Sequence, residues 1–300
     1  DIRVREMQAE TVTFPVAPGV SLRADRYGPA EGSPVILLHG GGQTRWSWGA
    51  TARHLAQQGG QRPFSIYAVD MRGHGQSDWC PEGHYSLDHF ANDLRVLAQA
   101  MPAPPVVVGA SLGGLSALLA CGEDPQAPCA GLVLVDIAPR MEARGTERVG
   151  AFMRDTVDGF DTLEQAAEAV AAYARNRERA ARPEGLLKNL RQDEDGRYRW
   201  HWDPAFMTMG RKQKWDPEAL ERRLMTATGR IPAPILIVRG SDSDVVSRET
   251  MEHLKQALPH VAQAEIAGAR HMIAGDDNAR FNEAILPFLL ANAGGGEVAR

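Results

Sequence analysis

Residues 109–113 read GASLG, a serine between two glycines, directly after the apolar run VVV and before the apolar stretch LSALLA. A glycine-rich turn between a buried strand and a helix serves two chemistries: it cradles phosphate, or it exposes a nucleophile. A phosphate loop of the Walker type needs Lys and Ser/Thr after its last glycine, and this turn has neither. A dinucleotide fingerprint needs a second glycine where backbone approaches pyrophosphate, and Ser111 occupies that place. The pattern that remains is GxSxG, in which small flanking residues allow a tight turn and leave the serine hydroxyl exposed.

A serine hydroxyl is a weak nucleophile at neutral pH and needs a base, which in turn needs an orienting carboxylate. Of the nine histidines, His54, His89 and His253 fall in helical patterns, while His74 and His84 read as turn or loop residues. His271 follows the last strand-like run, in AGARHMIAGDD. There it stands on the carboxyl side of a strand, facing the crevice where open α/β sheets bind ligands; it is the expected base. The acid is open between Asp242 and Asp244 in GSDSDVVS and Asp136 at the end of LVLVD. HGGG (39–42) follows PVILL, and a glycine run there can turn a backbone N–H toward the serine. The N–H groups of Gly41 and Leu112 are the expected oxyanion hole.

These residues need a scaffold, and the chain supplies a regular one. Apolar runs recur at 34–40, 64–70, 104–110, 130–136, 233–240 and 262–269. Short, nearly continuous runs rich in Val, Ile and Leu suit strands buried on both faces of a parallel sheet. Helical patterns lie between them at 50–58, 86–101, 111–122, 247–258 and 277–293. The alternation predicts a doubly wound, mostly parallel α/β sheet, with TVTFPV and VSLRADRYG as an antiparallel hairpin at its edge. The rhythm breaks at 141–230, which has no strand-like run and is rich in Ala, Arg and Glu. We read 1–140 and 231–300 as the core and 141–230 as a helical cap inserted between strands. Trp46 and Trp48 beside HGGG, with Trp200, Trp202, Phe206, Met207 and Met209 from the cap, are candidates to line an apolar pocket.

Composition narrows the function classes. Hydrophobic residues make up 43% and charged residues 24%, as in a globular protein with a sizeable core, and the formal charge is -5. An acidic balance argues against nucleic acid as partner, and no apolar run reaches the ~18 residues of a membrane span. Three cysteines, Cys80, Cys121 and Cys129, suit reduced thiols in a cytoplasmic protein; a removed leader before Asp1 stays compatible with the sequence. No paired CxxC or HExxH spacing suggests a metal, no cofactor is expected, and oligomeric state has no sequence signal.

HGGG (39–42), DMRGHGQSD (70–78), GASLGG (109–114), RGSDSDVVS (239–247) and GARHM (268–272) together resemble the α/β-hydrolase superfamily, in its order of serine, acid, histidine. The last two are similar to the branch of bacterial esterases, acyl-homoserine-lactone lactonases and non-haem haloperoxidases. The resemblance implies Asp244 as the acid, a cap at 141–230, and a Ser111–His271–Asp244 serine hydrolase acting on a small-molecule ester or lactone. Carbon–carbon bond hydrolases of ring-cleavage diketones carry a modified HGGG loop and are the alternative, together with perhydrolysis. A ligand receptor on the same fold is the non-enzymatic one.

Overall fold

In the computed structural model, which describes residues 9–124, 129–174, 183–208, 216–269 and 278–294, each apolar run forms a strand of one sheet. The chain opens with β1 (Glu10–Ala17) and β2 (Val20–Tyr27), then β3 (Ser33–Leu38). A 3-10 turn (Arg45–Trp48) leads to α1 (Gly49–Ala56), β4 (Phe64–Val69), α2 (Leu87–Gln99) and β5 (Val106–Ala110). Next are α3 (Leu112–Glu123), β6 (Gly131–Val135), α4 (Ala143–Asp155) and α5 (Leu163–Ala174). A 3-10 turn (Pro183–Lys188), β7 (Leu190–Gln192), β8 (Tyr198–Trp200), a further 3-10 turn (Pro204–Thr208) and α6 (Pro217–Arg230) follow. The chain closes with β9 (Ile235–Gly240), α7 (Arg248–Ala257), β10 (Val261–Ile266) and α8 (Asn278–Asn292).

The sheet has eight strands in the order β1-β2-β4-β3-β5-β6-β9-β10. Only the β1–β2 and β2–β4 pairings are antiparallel, which puts the expected hairpin at the edge. Alternation divides each central strand between two cores. Val35 and Leu37 of β3 pack with α1 and α8, whereas Ile36 and Leu38 pack with α2 and α3. All four are fully or almost fully buried, so a one-residue slip of register would leave the side chains on the wrong face. Because β4 lies on one side of β3 and β5 on the other, the chain reverses its winding there. A crevice opens at such a switch point, beyond the carboxyl ends of the strands.

Helix ends match the sequence signals: Ser86 caps α2, Ser247 caps α7, and Asp216 with Pro217 starts α6. Two features of 141–230 differ from the expectation. The stretch contains strands, since β7 and β8 pair as a short antiparallel hairpin. Three residues per strand are too few for a periodic signal. Its last helix, α6, packs against α3 of the main layer: a Cβ on Gly122 would lie 2.2 Å from the Ala227 carbonyl oxygen. The apolar residues Met153, Phe160, Trp200, Trp202 and Phe206 join the same core that covers the α2–α3 face of the sheet. Among the described residues no helix is long and apolar enough to cross a membrane.

Candidate active site

Ser111 stands between β5 and α3 with φ 47° and ψ -114°. A non-glycine residue adopts that region only at a cost, and such strain collects at functional turns. The flanking glycines are required by space. A Cβ on Gly109 would lie 2.6 Å from the backbone of Gly113 and Gly114, and one on Gly113 would lie 2.6 Å from Leu38 Cβ. Close approach of strand, turn and helix is what lifts the serine into the crevice. Leu112 begins α3, so its N–H is one of the helix donors without an intrahelical partner.

The segment after β3 lies against this turn; a Cβ on Gly40 would be 3.4 Å from Ser111 Cβ. Its donors are divided unequally. Gly40 N–H donates to Gln43 Oε1 at 3.1 Å, and Gly42 N–H donates to His74 Nε2 at 3.0 Å. No hydrogen bond engages the Gly41 N–H among the described residues. Loop 70–78 buttresses the segment through buried ion pairs. Arg45 pairs with Asp70, and Arg72 holds both oxygens of Asp93 at 2.6 Å.

Two fully buried histidines, His39 and His74, lie beneath the glycines of the HGGG segment, and sequence reasoning passed over both. His39 Nδ1 lies 2.7 Å from Gly40 O, and its Nε2 accepts the Met71 N–H at 2.9 Å. His74 Nδ1 lies 2.9 Å from Arg72 O while Nε2 accepts from Gly42. A carbonyl only accepts, so Nδ1 carries the proton in both rings and Nε2 is the acceptor. Burial lowers the His39 pKa to about 4, and burial with the neighbouring His39 lowers His74 to about 3. Both imidazoles are therefore neutral at neutral pH. DMRGHGQSD places His74 in a turn but does not reveal that the turn folds under HGGG.

Of the acid candidates, Asp242 and Asp244 are exposed, and the Asp244 carboxylate forms an ion pair with Arg148 Nε of α4 at 2.7 Å. Asp136 is fully buried at the end of β6, beside β5, with φ 49°. Its Oδ1 accepts the Gly240 N–H at 3.1 Å and its Oδ2 the Ser243 hydroxyl at 2.8 Å. Ser111 and Asp136, the two non-glycine residues with positive φ among those described, follow neighbouring strands, where Ala110 is in register with Val135. His271 and Met209 lie outside the described residues.

A cavity of about 150 Å³ opens above Ser111, walled by Gly40–Gln43, Val135 and residues of the stretch 141–230. Trp200 and Trp202 line it; Val149, Phe152 and Met153 of α4 and Tyr173 of α5 also do. The α4 residues share a face by their spacing of three and four, a signal present in the sequence. Other candidates for the wall sit elsewhere. Trp48 is buried on the opposite side of the sheet against Phe281, and Trp46 stacks under the Arg45 guanidinium. Phe206 backs Gly41, its ring 3.4 Å from where a Cβ would stand, and Met207 packs on the core.

Comparison with known proteins agrees with this architecture. A family model described as alpha/beta hydrolase fold matches residues 33–277. Esterase Rv0045c of Mycobacterium tuberculosis is 31% identical over 234 residues, covering 75% of this chain and 72% of the relative. The 3-hydroxybutyrate-oligomer hydrolase of Cupriavidus necator is 26% identical, covering 81% and 84%. The crystal structure of E-2-(acetamidomethylene)succinate hydrolase superposes with a TM-score of 0.79 at 22% identity, covering 94% of this chain and 99% of that one. With the GxSxG turn after β5, the HGGG loop after β3 and these matches, the chain belongs to the alpha/beta hydrolase family.

Proposed function

We propose that the protein is a carboxylic ester hydrolase that works through an acyl-enzyme on Ser111, with lactones as cyclic members of the same substrate class. The observation that carries the reading is the strained Ser111 beneath an apolar cavity, with Gly41 N–H unengaged among the described residues and Leu112 N–H at a helix start. Those two N–H groups are the donors for the oxyanion. His271 is the base, and Asp136 takes the orienting role in place of Asp244. A buried carboxylate fixed by Gly240 and Ser243 suits that role better than an exposed one paired with Arg148. Two carboxylate oxygens offer about four acceptor sites, enough for those donors and an imidazole N–H.

In the first step Ser111 Oγ attacks the carbonyl carbon as His271 takes its proton, and charge gathers on the oxygen facing Gly41 and Leu112. Collapse expels the alkoxide, which His271 protonates. Water then gives its proton to His271, attacks the acyl carbon and releases the acid. An apolar cavity of this size elsewhere accepts a benzene-sized guest, so neutral acyl groups of about four to six carbons are the best fit. Ser111→Ala should remove turnover of p-nitrophenyl butyrate by about 10⁴-fold or more. Wild-type rates in that variant would sink the scheme.

A further inference from the structure

We propose that His74 is a positioning residue that ties the seating of the cap to the geometry of the oxyanion loop, a role that rests on the ester-hydrolase reading of Ser111. The side chain serves the loop, since Nε2 accepts the Gly42 N–H at 3.0 Å and Nδ1 lies 2.9 Å from Arg72 O. The main chain serves the cap. His74 forms an antiparallel bridge with Trp202. Gly75 N–H donates to His201 O at 2.7 Å and Asp203 N–H donates to Gly73 O at 2.7 Å. One residue thus belongs to both structures.

The cap also closes on the loop from above. A Cβ on Gly42 would lie 3.6 Å from Trp202 Nε1, and one on Gly41 would lie 3.4 Å from the Phe206 ring. Phe206 in turn meets the His74 ring edge-on at 5.0 Å between centroids. Tyr85 locks the arrangement by donating to Asp203 Oδ2 at 2.5 Å while accepting the Cys80 N–H at 2.8 Å. Gly42 has φ 83°, so its peptide plane is set by contacts rather than by intrinsic preference. Without an acceptor at Nε2 the Gly42 N–H would be an unmet donor, and the loop would turn to satisfy it. The Gly41 N–H, one peptide away, would turn with it and lose its aim.

The groups facing the ring are His39, just after β3, at 5.1 Å between centroids, and the carboxylates of Asp70 and Asp203. None of these removes the acceptor role. Protonation of Nε2 would, because it would set one N–H against another.

The test uses the full chain and p-nitrophenyl acetate, whose acyl group is too small to depend on the cap for binding. Loss of one oxyanion donor typically lowers kcat by about 10²–10³. His74→Ala should lower kcat by about 30-fold or more with KM within about twofold, the signature of an interaction made in the transition state. His74→Gln, which keeps a neutral acceptor, should recover activity to within about fivefold of wild type. Affinity for a trifluoromethyl ketone should fall by the same factor as kcat/KM. Tyr85→Phe, which releases the cap anchor, should lower kcat on acetate about 3- to 10-fold and weaken the ketone in proportion. Equal activity of folded Ala and Gln variants overturns the proposal, as does a Tyr85→Phe effect confined to KM for long esters. If His74→Ala does not fold, the Gln and Tyr85→Phe arms decide. Near-wild-type His74→Ala beside an inactive Ser111→Ala removes the His74 role alone, whereas an active Ser111→Ala removes the hydrolase reading itself.

Discussion

Asp136 and Asp244 make different demands on their surroundings, and a pair of variants separates them. An orienting carboxylate must be fixed and shielded, because its work is to hold one imidazole tautomer and stabilise the imidazolium. Replacing such a group by its amide costs about 10⁴ in kcat in serine proteases. Asp136→Asn should therefore lower kcat on p-nitrophenyl butyrate by about 10³–10⁴-fold, and Asp244→Asn by less than about threefold. The reverse order would restore Asp244 to the role. The resemblance points to Asp244, but both residues follow strands that reach the same crevice. What separates them is burial, φ and the Arg148 partner, all products of tertiary packing. Ser111 was legible for the opposite reason: its strain is local and is written in Gly109 and Gly113.

Elements show the same division. Strands β3, β4, β5, β6 and β9 coincide with apolar runs because burial on both faces favours apolar side chains, whereas β10, at the sheet edge, also carries Gln263 and Glu265. The β7–β8 hairpin gives no sequence signal, and Trp48, a candidate for the pocket, is buried against Phe281 instead. A tryptophan's company depends on which helix face turns inward. Helix α4 sets the reach of the cavity, and Met153 is its largest contribution near Gly42: a Cβ there would lie 3.0 Å from the Met153 methyl. Truncating Met153 to alanine would enlarge the cavity beside Gly42. Each methylene accommodated in an apolar pocket is worth about 1–3 kcal/mol. The kcat/KM ratio of p-nitrophenyl octanoate to butyrate should rise about 10-fold or more in Met153→Ala. An unchanged ratio would mean that acyl chains do not enter the cavity along α4.

At the scale of the whole molecule, the two neutral histidines couple the stability of the fold to pH. Neither ring is exposed, with pKa values of about 4 for His39 and about 3 for His74, while an unfolded histidine titrates near 6.5. Burial also lowers His201 and His89, though both are less enclosed. As pH falls below 6.5 the unfolded chain takes up protons that the folded chain refuses, so the folded state loses ground. The contribution is fully present above pH 6.5 and is lost progressively down to the folded pKa. Each ring that stays neutral costs about 2 kcal/mol of stability between pH 6.5 and pH 5. Carboxylates held low by Arg223, such as Asp88 and Glu123, titrate at lower pH, whereas burial raises the Asp93 carboxyl toward this window. Urea unfolding of wild type should therefore lose stability steadily across that interval. His74→Gln removes one titrating ring but keeps an acceptor for Gly42, so its loss over the same interval should be smaller by about 2 kcal/mol. Identical slopes for the two proteins would show that His74 takes up its proton in the folded state near the ordinary histidine pKa. In that case the ring could not hold the Gly42 N–H through mildly acidic conditions.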